Sequence, residues 1–194
     1  QPEGKFEVFA PRERGLEYAI YHYDTDFYIV TNRDGAHNFK VMQTREGQTS
    51  PDQWKEFIPH REDVLIEDIE IFRNFYVVCE RFQGLNRIQI NRWDQSEQYY
   101  LPFDNETYVA YPYVNLDFDT DYLRYIYNAM TAPYSVIDFN MNTREKIVRK
   151  EQEVLDPGFK KENYRSRRVW APARDGEKVP VSLVYHKDTP LDGS

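Results

Sequence analysis

A partial β-propeller is the all-β fold that the period and composition of this 194-residue sequence predict: about three four-stranded antiparallel blades followed by a terminal β-hairpin. Three times a polar residue and an aromatic open a hydrophobic run, at Asp26-Phe27-Tyr28, Asn74-Phe75-Tyr76 and Asp121-Tyr122-Leu123, and the starts lie 48 and 47 residues apart. Repeats of about 40–50 residues made of short strands mark propeller blades. Composition agrees, since Tyr (16) and Phe (12) far outnumber Met (3), which favours pleated, half-buried surfaces over helices.

The first repeat reads as strands at Glu17–His22, Phe27–Thr31, Asn38–Gln43 and Trp54–Ile58. Tyr23-Asp24-Thr25-Asp26 and Asn32-Arg33-Asp34-Gly35 supply turns, because Asp, Asn and Gly tolerate the backbone that tight connections need. Ser50-Pro51-Asp52-Gln53 has the form of a capping box with proline at the first helical position, so one helical turn precedes Trp54. The second repeat gives Val64–Phe72, Phe75–Arg81, Asn86–Arg92 and Tyr99–Phe103, and the third gives Tyr111–Asp117, Leu123–Ala129, Ser135–Phe139 and Glu145–Arg149. A four-stranded meander cannot cover both of its faces alone, so each stacks on its neighbours. Residues 1–150 are thus expected to form three blades, and 151–194 a linker and hairpin. Asp156-Pro157-Gly158 breaks the linker, while Tyr164–Ala171 and Val179–Lys187 flank Asp175-Gly176, a hairpin signal. In that hairpin Trp170, Val181, Leu183 and Tyr185 are expected to share one face.

Formal charge is −8, without a long basic run, which argues against nucleic-acid binding. Residues 100–140 hold Asp104, Glu106, Asp117, Asp119, Asp121 and Asp138 against Arg124 alone, either a solvated rim or a surface that attracts cations. Cys79 is the single cysteine, so no internal disulfide forms, and its place in Phe75–Arg81 reads as a buried strand position. No stretch approaches the roughly 18 apolar residues of a membrane span, and a reducing, cytoplasmic setting is expected. The start at Gln1 rather than Met points to a missing native terminus, where a removed signal would lie.

The chemistry that is missing narrows the reading. A nucleophile elbow needs glycines two before and two after the serine, yet no two of the glycines at 4, 15, 35, 47, 84, 158, 176 and 193 lie four apart. The same spacing excludes the dinucleotide fingerprint and the phosphate loop. Histidines 22, 37, 60 and 186 fall in separate segments. Asp117, Asp119 and Asp121 imitate the start of a calcium loop, but Tyr122 and Asn128 occupy its glycine and glutamate places. No cofactor or metal is expected.

Several motifs in order carry a resemblance. Asp26-Phe27-Tyr28-Ile29-Val30-Thr31-Asn32 with Ala36-His37-Asn38-Phe39, Phe57-Ile58-Pro59-His60-Arg61-Glu62, and Val77-Val78-Cys79-Glu80-Arg81 with Gly84-Leu85 come first. Asn128-Ala129-Met130-Thr131-Ala132-Pro133, Ala173-Arg174-Asp175-Gly176 and Val179-Pro180-Val181-Ser182-Leu183-Val184-Tyr185 follow. From about Leu16 to Ser194 the chain resembles the prolyl oligopeptidase family of serine peptidases, in its oligopeptidase B (protease II) branch. The resemblance implies a seven-bladed propeller that restricts access to an α/β-hydrolase domain, with cleavage of short peptides after Lys or Arg. It also implies that the serine, aspartate and histidine lie beyond the present C-terminus. No residue here matches them, and Ser135, Ser166, Ser182 and Ser194 are not nucleophiles on this reading.

The expectation is therefore a non-catalytic propeller fragment whose partners are its own catalytic domain and, for the parent, basic peptides. Uncovered blade faces predict self-association. His60, Arg61, Glu62, Glu80 and Arg81 are the candidate interdomain or gating contacts, against the alternative of a surface ion-pair cluster. A stand-alone β-repeat binding module with an acidic surface is the rival; coding sequence running past Ser194 into a glycine-flanked serine decides between them. A propeller glycosidase with paired carboxylates is a third reading, which needs measured separations.

Overall fold

The computed structural model describes residues 4, 5 and 7–193, and Ser194 lies outside them. Three four-stranded sheets follow one another along the chain. The first holds β1 (Tyr18–Tyr23), β2 (Asp26–Thr31), β3 (Lys40–Arg45) and β4 (Lys55–Ile58). The second holds β5 (Val64–Ile71), β6 (Phe75–Phe82), β7 (Leu85–Arg92) and β8 (Gln98–Tyr100). The third holds β9 (Tyr108–Pro112), β10 (Tyr122–Ala129), β11 (Ala132–Asn140) and β12 (Lys146–Glu151). Each is an antiparallel meander in chain order, and β13 (Tyr164–Pro172) with β14 (Lys178–His186) forms a separate hairpin. No helix of the described residues is long and apolar enough to cross a membrane.

Local chemistry sets the turns. Gln83 and Gly84 both adopt positive φ (51° and 81°), and Phe82 pairs with Leu85, so β6 and β7 close on a two-residue turn of the hairpin type. Pro51–Gln53 forms a single 3₁₀ turn; proline stands first as expected, but the Ser50 side chain makes no capping hydrogen bond. The third strand of the first blade begins at Lys40 rather than Asn38. Phe39 turns the chain at φ 58°, and the Asn38 amide group instead bonds the carbonyls of Arg61 and Glu62.

The core lies between blades. Tyr28, Val30 and Val41 of the first pack against Ile66, Ile69 and Val78 of the second. On the other side of the second blade, Phe75, Val77, Ile88 and Ile90 meet Leu123, Tyr125, Ile137 and Phe139 of the third. Alternation explains how β6 serves both wedges: Val77 and Val78 point to opposite faces, and both are fully buried. Cys79 is buried as expected. The remaining face of the first blade, Ile29, Met42 and Trp54, is covered by Phe9 and Ala10.

Two sequence expectations fail on register. The first strand of the third blade is Tyr108–Pro112, not Tyr111–Asp117. Ala110 fills the second wedge, and one backbone bond beyond Pro112, from the Tyr113 N–H to the Arg124 carbonyl at 2.9 Å, ends the ladder. Asn115 then replaces it, accepting from the Arg124 amide at 2.7 Å and donating to the Arg124 carbonyl at 3.0 Å. In the hairpin, Trp170 pairs with Pro180 while Val169 pairs with Val181, so Trp170 lies on the face opposite Val181, Leu183 and Tyr185. The loop from Ala173 to Glu177 is closed by an Ala173 N–H to Glu177 carbonyl bond of 2.7 Å. A register one residue different would have put Trp170 on the other face.

Candidate functional site

Because the strands of each blade alternate in direction, the turns between second and third strands lie at one end, together with the connectors between blades. The hairpin docks there. Its Arg168 amide donates to the Glu106 carboxylate at 2.9 Å, and the Arg168 guanidinium donates to the Gln83 carbonyl. All five candidate residues gather at this end: His60, Arg61 and Glu62 on the connector from β4 to β5, and Glu80 and Arg81 near the end of β6.

The structure divides them into three groups. Glu80 is fully buried. Its carboxylate accepts from Arg61, from Arg87 at 2.9 Å and from the Tyr100 hydroxyl at 3.0 Å. The Arg87 guanidinium is sandwiched between the rings of Phe82 (4.3 Å) and Tyr100 (4.5 Å), a cation–π arrangement strengthened by exclusion of water. The Nε atoms of Arg61 and Arg87 are buried without a hydrogen-bond partner among the described residues. Arg81 turns away to Glu67 at 2.6 and 2.8 Å, and Asn86 donates to the same carboxylate at 2.8 Å. His60 accepts from the Asn38 amide at 3.4 Å and lies 3.8 Å from Glu62, with the His37 ring perpendicular at 5.8 Å.

Arg87 and Tyr100 were not among the candidates, yet they complete the cluster. Arg87 was within reach of sequence reasoning: a two-residue turn at Gln83-Gly84 places it directly across from Glu80. Two guanidiniums on one carboxylate leave one positive charge in excess. Such a group is a rigid anchor for a connector rather than an acid, base or nucleophile, because its one carboxylate is already committed to three donors.

The inner strands carry acid of a different kind. The hydroxyl of Tyr21 on β1 donates to Asp68 on β5, and the half-buried Glu70 lies two residues on. Burial, helped by the neighbouring charge of Asp68, pushes Glu70 from its ordinary 4.5 up to about 7. The folded chain therefore keeps this proton in a range where the unfolded chain has lost it. Stability from this group falls as pH rises from about 4.5 to 7, by about 1 kcal/mol once screening of a partly exposed side chain is allowed for. Glu70→Gln is expected to be the more stable protein at pH 8, and its advantage to vanish at pH 4. Urea midpoints at the two pH values check this, and an equal difference at both would refute it.

A family model described as the prolyl oligopeptidase N-terminal beta-propeller domain matches residues 1–152. The chain belongs to this family. Dipeptidyl aminopeptidase BI of Pseudoxanthomonas mexicana is 42 % identical over 191 residues, covering 98 % of this chain and 26 % of that protein. Protease 2 of Moraxella lacunata is 23 % identical over 184 residues, 95 % of this chain and 26 % of that one. Among solved structures, oligopeptidase B from Leishmania major superposes with TM-score 0.83 at 29 % identity, covering 96 % of this chain and 27 % of its own. Oligopeptidase B from Trypanosoma brucei, closed and with covalently bound antipain, gives 0.82 at 33 % identity, with 93 % and 26 % covered. This prolyl oligopeptidase propeller chain thus spans about a quarter of the length of these relatives and matches their propeller part.

Proposed function

We propose that this chain is the access-restricting, non-catalytic part of a serine-type oligopeptidase of the oligopeptidase B kind, which hydrolyses short peptides after Lys or Arg in the cytoplasm. On this reading residues 1–150 are three blades of a seven-bladed ring, and residues 151–194 lead into an α/β-hydrolase domain. The observation that carries it is the family match over residues 1–152, set within relatives that are peptidases about four times as long. The division of labour is physical. Acyl transfer needs a base-activated nucleophile and an oxyanion hole in one rigid pocket, whereas a propeller contributes shape, charge and exclusion. The hairpin end is the natural seat for the catalytic domain: it holds the Arg61–Glu80–Arg87 anchor, and the hairpin itself is tied there through Arg168.

The higher identity to dipeptidyl aminopeptidase BI favours a second reading, in which the parent removes dipeptides from free amino termini. Two amides separate the readings, one a dipeptidyl amide ending in Arg with a free amine and the other its N-blocked analogue. The full-length protein is expected to cleave the blocked compound, and this chain alone neither. Cleavage of the free-amine compound only would establish the second reading. Saturable turnover by this chain alone, abolished by a serine-directed inhibitor, would overturn the non-catalytic assignment.

A further inference from the structure

The connections between first and second strands differ sharply in length. β1 and β2 are joined by Asp24-Thr25, and β5 and β6 by Phe72-Arg73-Asn74, whereas β9 and β10 are separated by residues 113–121. At nine residues this last connection exceeds the roughly 2–5 usual for a hairpin loop. Its first residues stay on their own blade, where Asn115 bonds Arg124, but its tip leaves that blade. Phe118 reaches the second blade, where its carbonyl accepts from the Arg73 amide at 2.9 Å and its ring lies 5.4 Å below the Arg73 guanidinium. Asp119 takes the Arg73 Nε at 2.6 Å. The Phe118 ring also comes within 6.0 Å of Tyr23 on the first blade; Tyr23 stacks on Trp93 at 4.2 Å and donates to the Arg73 carbonyl at 2.9 Å. One segment of the third blade thereby touches all three.

Its position gives this bridge a consequence. First strands line the axis of a propeller, as the reach of Tyr21 on β1 to Asp68 on β5 illustrates. Loops from first to second strands therefore ring the axial opening at the end away from the hairpin. The bridge is held by an exposed ion pair, one backbone bond and ring contacts, each weak beside the buried wedges, so it opens more readily than the blades unfold. Leu116, 91 % exposed, and Val114 ride on it with Asp117 and Asp121, neither of which has an ion-pair partner among the described residues.

We propose that residues 113–121 are a strap across this axial mouth, latched by Arg73 and Phe118, that limits the size of peptide admitted. The strap stands on its own contacts; the size limit rests on the peptidase reading above. Amide exchange on this chain tests the latch. The residue-73 amide is expected to be protected in the native chain and to exchange about tenfold faster in Arg73→Ala and in Phe118→Ala, with the protection of β6 and β10 unchanged. An unprotected amide in the native chain overturns the strap.

Activity of the full-length protein tests the limit. For peptides of about 30 and about 5 residues with the same cleaved residue, Arg73→Ala is expected to raise the long-to-short ratio of kcat/KM about fivefold and leave the short peptide unchanged. Asp119→Asn, which keeps the shape of the loop, is expected to move the ratio in the same direction. Faster exchange with an unchanged ratio overturns the size limit, as does an equal fall for both peptides. A full-length protein without peptidase activity removes the peptidase reading and the size limit with it, while the exchange result still decides the strap.

Discussion

Replacing Glu80 by Ala is expected to destabilise the chain by about 3–5 kcal/mol, because it strips the counter-charge from two arginines that the fold holds in place. Arg61 comes from the connector and Arg87 from the facing strand, and both converge on a carboxylate with no solvent exposure. Glu80 itself lies out of reach of solvent, so water replaces its carboxylate poorly. Glu67→Ala is the internal control. It breaks the Arg81 pair, whose side chains are 43 % and 28 % exposed, and is expected to cost about 0.2–1 kcal/mol. Urea unfolding of the two variants gives the comparison, with an unchanged slope required for the midpoints to be read as stability. Equal costs would mean that the Glu80 cluster is screened like a surface pair. Glu80→Gln is expected to fall between the two, since its amide oxygen still accepts from a guanidinium but carries no charge.

What the sequence made legible follows from which interactions are local. Phe75–Arg81 reads as a strand, which the structure extends by Phe82, because its aliphatic run is bracketed by Asn74 and by Phe82-Gln83-Gly84, and turn residues act through their own backbone preferences. The blades repeat because the same local signals recur, so their order and topology follow from the period. Registers are another matter. Tyr111-Pro112-Tyr113 is as hydrophobic as any strand, but the edge of β10 pairs only as far as Pro112, and Ala110 was the residue that fitted the wedge. Trp170 went to the wrong face for a similar reason, since a single residue of loop length inverts a hairpin.

The candidate site was half legible. His60, Arg61, Glu62, Glu80 and Arg81 do lie at one end of the blades, yet Arg61 meets Glu80 across 19 residues through blade packing, which no local pattern encodes. The strap was the least legible part. Asp117, Asp119 and Asp121 read as turn residues, and they are, but nothing in their spacing says that Phe118 between them reaches two neighbouring blades.

Phe139→Ala is expected to cost about 3–5 kcal/mol, the range for removing a large buried aromatic from a packed core. Phe139 has no solvent exposure and lies across from Leu123 in the wedge between the second and third blades, its ring 6.4 Å from Tyr99. The Tyr99 hydroxyl in turn donates to the Met141 carbonyl at 2.6 Å, so the last strand of one blade is tied to the next through the same contact region. Leu183→Ala on the hairpin, where the side chain is 39 % exposed, is expected to change stability by less than about 0.5 kcal/mol. The contrast tests where the stability of the chain resides. Stacked repeats are held by the interfaces between neighbours, and here the two wedges share the strand β6, with Val78 in one and Val77 in the other. Damage at Phe139 therefore passes through β6 to the first blade, and the variant is expected to unfold in one shifted transition. Two separated transitions by circular dichroism and tryptophan fluorescence would show that the blades are independent units, because Trp54 and Trp93 belong to the first two blades, Trp170 to the hairpin and none to the third.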